Sequence, residues 1–434
     1  MHIRRILHLS ARRTTLAIAL LAVSMAAAPA APRALVLDID GAIGPAMAGY
    51  VARGLAGLDP AETRVVVLRL NTPGGLDSSM RSIIAAILAS PVPVVAYVAP
   101  SGARAASAGT YITYAAALAA MAPGTNIGAA TPVQLGGGTK PGDAETRKIV
   151  NDAVAYIRGL AEFNGRNADW AEQAVREAAS LPASAALKQH AVDVIAPDLP
   201  ALLAAIDGRT VKVAGKPQHL ATAGLAIVER PPGWRTGLLA VITDPNVAFV
   251  LLLLGVAGLV FEFTTPGAIA PGVVGAISLL LALFALDLLP IDFAGAGLVL
   301  LGIGLMIAEA HIGSFGVLGI AGVAGFVIGA LMMFPSTAPG FALSRPLLAA
   351  VTLAVAGLFI IALSLLLRAR RRPVVTGREA LIGAEGEAVS WSRDEGRVRI
   401  EGEIWRARAA QPLSAGARIR VTGRRGLMLT VEPL

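Results

Sequence analysis

The chain has no cysteine among its 434 residues. Disulfide frameworks, zinc–thiolate sites and cysteine nucleophiles are therefore excluded. Charge is scarce as well: Asp, Glu, Lys and Arg make up only 15%, whereas apolar residues reach 55% and the mean hydropathy is +0.67. From Thr236 to Ser344 there is no lysine or arginine at all. A soluble enzyme does not have such a balance, so a long apolar block joined to globular parts is expected. The net charge of +8 comes largely from arginines clustered near the ends. Next to apolar runs, basic ends mark membrane topology rather than nucleic-acid binding. Histidine is nearly absent too, with five in all: His2, His8, His190, His219 and His311. His2 and His8 fall in the leader, His311 in the apolar block and His190 in a turn, so no classical triad is assembled. No cofactor-binding or metal-binding pattern is present in the sequence.

What is there falls into successive regions. Residues 1–31 read as a secretory signal: Arg4, Arg5, Arg12 and Arg13, then the apolar core Leu16 to Val23, then small residues from Met25 to Ala31. Residues 33–232 alternate strand-like runs (Ala34–Leu37, Val65–Leu70, Val92–Val98) with helical ones such as Leu76–Ala89, which predicts an α/β domain of parallel crossovers. Residues 236–367 hold five apolar segments, near 246–264, 268–286, 292–310, 314–334 and 346–367, each approaching the roughly 20 residues that cross a bilayer. Arg368, Arg370, Arg371 and Arg372 follow at once, a cytoplasmic flag. An exported N-terminal domain, five crossings and a cytoplasmic C-terminus agree with one another.

Within the apolar block, Glu262 followed by Gly272 and Gly275 is repeated as Glu309 followed by Gly319 and Gly322, at a constant offset of 47 residues. Small residues at this spacing let helices approach closely. The two glutamates invite a transport reading. Against it, polar residues are too few mid-membrane for a path, and near segment ends a carboxylate can reach the headgroup zone. Residues 374–434 are polar, with five short strand-like runs (Glu385–Val389, Arg397–Ile400, Glu403–Ala409, Arg418–Thr422, Met428–Glu432) between glycine turns, which predicts a small all-β, OB-like barrel. Its aromatics are Trp391 and Trp405 alone, too few for a nucleic-acid stacking platform.

Two stretches of the α/β region carry chemistry. Asn71-Thr72-Pro73-Gly74-Gly75 follows one strand and precedes a helix, a place where glycine frees backbone N–H groups to face a ligand. The alternative is a simple tight turn. Ser107, within Ala106-Ser107-Ala108-Gly109, follows another strand and opens a helix, where the positive dipole end favours developing negative charge. In an alanine-rich chain such a serine is also a common packed helix residue.

These stretches, with Met121-Ala122-Pro123-Gly124-Thr125-Asn126-Ile127-Gly128, resemble the ClpP/crotonase-like proteases. The whole chain looks like the long NfeD type, membrane-bound partners of stomatin-like proteins. That resemblance implies an α/β ClpP-like protease domain, an all-α membrane bundle and an OB-fold tail. It implies Ser107 as nucleophile, Lys148, 41 residues later, as general base, and an oxyanion hole from the N–H groups of Gly75 and Ala108. It also implies a stomatin-like protein as substrate or partner, a cell-membrane location and a homo-oligomer formed through the protease domain. A Ser–Lys pair requires a neutral amine, hence desolvation that lowers the lysine pKa from its usual value near 10.4. On the helix that Lys148 opens, Ile149, Val150, Ala153, Val154 and Ile157 form the apolar stripe and Lys148 lies opposite it. Lys140, in Gly136-Gly137-Gly138-Thr139-Lys140, is the rival base. A scaffold that organises stomatin-like assemblies is the alternative function.

Overall fold

The computed structural model describes residues 31–132, 144–265, 267, 269–312, 314, 316–334, 340–370 and 381–434. All but the last residue of the expected signal segment 1–31, and Lys140, Arg371 and Arg372, lie outside the described residues. The chain divides into two compact units. One takes in residues up to Met306 together with Leu318–Ala354, the other Ile307–Val317 and Val355–Leu434.

The first unit begins with β1 (Arg33–Asp40), α1 (Pro45–Leu55), β2 (Thr63–Asn71), α2 (Asp77–Leu88) and β3 (Val94–Val98). There follow β4 (Arg104–Ala106), α3 (Ala108–Ala115), β5 (Leu118–Met121), β6 (Asn126–Gly128), α4 (Ala144–Asn164) and α5 (Ala168–Arg176). Then come β7 (Ser180–Pro182), α6 (Ala183–Lys188), β8 (Val194–Ile195), α7 (Leu199–Ile206), the hairpin β9 (Thr210–Val213) and β10 (Lys216–His219), and β11 (Ala226–Glu229). Six strands form one sheet in the order β11-β1-β2-β3-β5-β8, with every neighbour parallel.

The near-continuous apolar runs of β1, β2 and β3 follow from burial on both faces. Leu35, Leu37, Val66, Leu68, Ala96 and Val98 join one core with α1 to α5. Their alternating neighbours Val36, Val65, Val67, Val95 and Tyr97 join a second core that includes Leu202, Leu203 and Ile206 of α7. A smaller sheet, β4-β6-β7, stands apart.

One buried cation ties this domain together. Arg166, between α4 and α5, is 6% exposed and donates to the carbonyls of Tyr114 (2.9 Å), Ala116 (2.9 Å) and Thr113 (3.3 Å). These acceptors lie at the carbonyl end of α3, where intrahelical donors run out and a positive charge is favoured. The same guanidinium pairs with Asp193 at 2.8 Å.

Further helices follow: α8 (Trp234–Ile242), α9 (Pro245–Thr264), α10 (Ile269–Leu288), α11 (Phe293–Ile312), α12 (Val317–Met333) and α13 (Arg345–Arg370). The five expected apolar segments are the helices α9 to α13. Among the described residues α9 and α10 are long and apolar enough to cross a membrane, each with a hydropathy of 2.4 over its best window. The 47-residue repeat is a repeated helical hairpin. In α9/α10 the backbones meet at Gly258 and Gly275, where an added Cβ would lie 2.7 and 2.9 Å from the facing Cα. In α11/α12 Gly302 and Gly322 make the corresponding contact, each backed by the other's carbonyl. The glutamates are used at the turns. Glu262 accepts from the N–H of Gly272 at 3.3 Å, and the fully buried Glu309 accepts from the N–H of Gly316 at 2.9 Å and from the hydroxyl of Ser314. A carboxylate at the start of the next helix offsets its free N–H groups.

The chain ends in a closed barrel of β12 (Glu385–Ser392), β13 (Glu395–Ile400), β14 (Glu403–Arg408), β15 (Arg418–Arg425) and β16 (Met428–Pro433), in the order β12-β13-β14-β16-β15. The β14/β16 pair is parallel and the others antiparallel, the OB-like arrangement expected. Several of its arginines face carboxylates across strands: Arg399 with Glu387, Arg408 with Glu395, and Arg418 and Arg420 with Glu385. Trp391 and Trp405 pack against the barrel core rather than standing open for stacking.

Removing the buried guanidinium takes from Asp193 its counter-charge, leaving it only the N–H of Ala119 among the described residues, and takes a donor from the carbonyls of Thr113, Tyr114 and Ala116, of which Tyr114 keeps Asn164 Nδ2. Arg166→Met is expected to cost about 3 kcal/mol, read as a lower urea midpoint when Trp170, which stacks on Tyr114, reports unfolding.

Candidate functional site

Ser107 sits where β4 stops and α3 starts. Its backbone has φ 52° and ψ −119°, outside the regions that L-residues favour. Neighbouring groups hold it there. Its N–H donates to Gly128 O at 3.0 Å, its carbonyl accepts from the N–H of Thr110 at 2.9 Å, and the Thr110 hydroxyl is tied to Gly128 O at 2.9 Å and Ala105 O at 3.0 Å. The side chain of Ser107 is not used to cap α3. Ala108 is the first residue of that helix, a position whose N–H has no intrahelical acceptor.

The Gly74-Gly75 turn lies against this serine. Gly74 has φ +113°, and a Cβ there would come within 2.6 Å of the Ser107 Cβ and 3.0 Å of its Oγ. At Gly75 a Cβ would fall 2.2 Å from Ile43 O. The turn is pinned from two sides. The buried Thr72 accepts from the N–H of Gly74 with its hydroxyl at 3.0 Å, while Ile43 donates its N–H to Gly74 O and accepts from the N–H of Leu76, both at 2.9 Å. Among the described backbone acceptors, none takes the N–H of Gly75. Two N–H groups without a backbone acceptor among the described residues, of Gly75 and Ala108, thus border the serine.

Together these residues line a cavity of about 100 Å³ whose other walls include Met80, Tyr111, Pro132, Ala153 and Tyr156. It is mainly apolar. Burial raises the phenol pKa of both Tyr111 and Tyr156, so each stays protonated at neutral pH. The rings stack at 6.1 Å, and the Arg81 guanidinium lies 4.4 Å from the Tyr156 centroid while bonded to Asp77 and Asp152. A larger cavity, of about 780 Å³, opens beside Asp38, Asp40, Arg69 and Tyr97. There Arg69 is clasped by both oxygens of Asp38, at 2.6 and 2.8 Å, and no nucleophile is comparably placed.

The structure therefore brings Ser107, Gly75 and Ala108 together. Lys148 is not among the residues lining the cavity. It is exposed, near the start of α4, the helix that supplies Ala153 and Tyr156 to the cavity wall. Ala153, Val154 and Ile157 of the expected stripe are buried, with Ile149 36% exposed. His190 is an exposed turn residue with φ +56°, a conformation that suits glycine. Thr72 could have been noticed inside the Asn71–Gly75 stretch. Ile43 and Gly128 act through backbone groups and left no such mark.

An α/β domain with a strained serine at a helix start, glycine-paired apolar hairpins and a five-strand barrel define a membrane protein with a globular domain at either end. The N-terminal domain of NfeD1b matches residues 34–197, the NfeD integral membrane domain residues 246–365, and the NfeD-like C-terminal, partner-binding domain residues 378–433. The membrane-bound protease PH1510 of Pyrococcus horikoshii is 36% identical over 388 residues, 87% of either chain. The membrane protein NfeD1b of Bacillus subtilis is 27% identical over 334 residues, 73% of this chain and 70% of that one. A solved structure of 1510-N, a membrane protease specific for a stomatin homolog from Pyrococcus horikoshii, is 32% identical, covering 50% of this chain and all of that one with a TM-score of 0.42. The chain belongs to the NfeD family.

The contact between Gly74 and Ser107 can be tested directly. Gly74→Ala is expected to cost about 1–3 kcal/mol from backbone strain alone, seen as a lower thermal midpoint. Gly159→Ala, on the exposed face of α4 with open space at its Cβ, should raise stability by up to about 1 kcal/mol.

Proposed function

We propose that the chain is a membrane-bound serine endopeptidase that cleaves apolar segments through an acyl-enzyme. The observation that carries this reading is the strained Ser107 in an apolar cavity, bordered by two N–H groups that no described backbone acceptor takes. Homology over 87% of the chain to a membrane-bound protease supports it. In the proposed reaction the neutral amine of Lys148 takes the proton of Ser107 Oγ as that oxygen attacks the scissile carbonyl. The N–H groups of Gly75 and Ala108 stabilise the oxyanion. The resulting ammonium returns its proton to the leaving amine, and water, deprotonated by the same lysine, releases the acyl group and restores the serine.

Lys148 is solvent-exposed in the isolated protomer. The dyad therefore requires a substrate segment or a second copy to cover the first turns of α4 and strip water from the amine. That requirement fits an apolar substrate and a homo-oligomer joined through the α/β domain. The substrate we favour is a stomatin-like membrane protein, as the specificity of the 1510-N protease implies, and the C-terminal barrel would serve to dock that partner. For topology we favour an extracytoplasmic protease domain, five crossings and a cytoplasmic barrel, in keeping with the arginines from 368 onward.

Cleavage of an apolar fluorogenic peptide by the reconstituted full-length protein provides the test. Ser107→Ala and Lys148→Ala should each lower kcat by at least about 10³-fold, while Lys140→Ala leaves it near wild type. Undiminished turnover by Ser107→Ala would exclude the mechanism.

A further inference from the structure

The short helix α8 has its amphipathicity reversed. Its hydroxyl residue faces the protein: Thr236 is 6% exposed and accepts from Arg53 Nη2 at 3.0 Å, and Thr243, just past the helix end, is buried with its hydroxyl on Leu239 O. Its apolar residues face outward at helical spacing, with Trp234 74%, Leu238 52% and Val241 56% exposed. A helix on a soluble surface does the opposite. Arg230 and Arg235 flank the outer face, and the Arg235 guanidinium lies 5.5 Å from the Trp234 ring. Tryptophan beside arginine next to an apolar face is the pattern of a helix lying at a membrane interface.

The occupant of this face is indicated by continuity. The apolar helix α9 begins three residues after α8 ends. Asp244 accepts from the N–H groups of Asn246 and Val247, and Pro245 fills the first position, so a new helix starts there rather than α8 running on. We infer that α8 lies along the bilayer surface, with Trp234, Leu238 and Val241 in the boundary between headgroups and acyl chains, and that it seats the α/β domain on the lipid through α1. This inference does not depend on the catalytic reading.

In proteoliposomes of phosphatidylcholine brominated near the headgroup end of its acyl chains, part of the tryptophan emission should be quenched. Trp234→Phe should abolish that quenched part, since Trp170 is buried in the α/β core and the other two tryptophans belong to the barrel. An equal quenched fraction in wild type and Trp234→Phe would overturn the inference. So would an unquenched wild type, as expected if a protein partner or a second copy covered the face.

Phe341, ahead of α13, makes a contact of another kind. Its ring packs so closely on Gly44 that an added Cβ would lie 2.8 Å from Cζ and 3.3 Å from Cε1. Gly44 has φ −121° and ψ −174°, ordinary extended backbone, so the missing side chain serves this contact rather than the conformation. The next residue back is Ile43, whose N–H and carbonyl hold Gly74 and Leu76 on either side of Gly75. We propose that Phe341 is a positioning residue, through which the membrane segment fixes the turn that presents the Gly75 N–H to Ser107. This second proposal rests on the catalytic reading above.

In the full-length protein Gly44→Ala should lower kcat on the apolar peptide by about tenfold or more with KM little changed, as expected when a reacting group is displaced by a fraction of an ångström. Phe341→Ala should lower kcat by a similar factor with KM little changed, because the turn loses the ring that fixes it, and the conservative Phe341→Tyr should retain most of the activity. Wild-type kcat in Gly44→Ala or in Phe341→Ala would overturn the proposal and leave the protease reading intact. If wild type and Ser107→Ala cleave alike, both fall together.

Discussion

Everything at the candidate site depends on one unfavourable backbone conformation, that of Ser107. A serine with positive φ and strongly negative ψ persists only where its surroundings over-determine it. Here they do so with backbone groups of β6, the hydroxyl of Thr110 and the packed glycine at 74. Most of the fold can be understood as support for that point. The smaller sheet, through β4, delivers the chain to the start of α3, and Arg166 closes the far end of the same helix. The helix is therefore held at both termini, by a buried guanidinium bonded to its last carbonyls at one and by the clamped backbone of Ser107 at the other.

The architecture was legible in the sequence wherever burial leaves a periodic mark. Strands buried on both faces read as unbroken apolar runs, membrane-type helices as long cation-free stretches, and the barrel as short runs between glycines. Ser107 and the Gly74-Gly75 pair had only small residues to mark them locally, and the resemblance to the ClpP/crotonase-like proteases singled them out as candidates. Ile43, Gly128 and Arg166 were not legible. The first two act through peptide groups that every residue has, and the third acts on carbonyls some 50 positions away. Lys148 shows the converse limit. Its place off the apolar stripe could be read, and the structure has it exposed, but the chemistry of an amine is set by what covers it, which no periodicity in a sequence records.

The C-terminal barrel shows how composition can mislead. An arginine-rich OB-like fold invites a nucleic-acid reading, yet four of the nine arginines between residues 385 and 434 are engaged in cross-strand pairs with Glu385, Glu387 and Glu395. Exposed pairs of this kind add little to stability. They offset local positive charge and fix which side chains lie opposite one another, leaving a mixed-sign surface of the kind that engages other proteins.

The repeated hairpins bear on how the protein reaches its membrane. Each has its own glycine-to-glycine contact and its own glutamate clasp on the following turn, so each is complete in its local interactions. Such a unit can close as soon as its second helix has emerged from the ribosome, without waiting for its neighbour. Insertion can then proceed two helices at a time, and a helix would spend little time in lipid with its glycine groove uncovered.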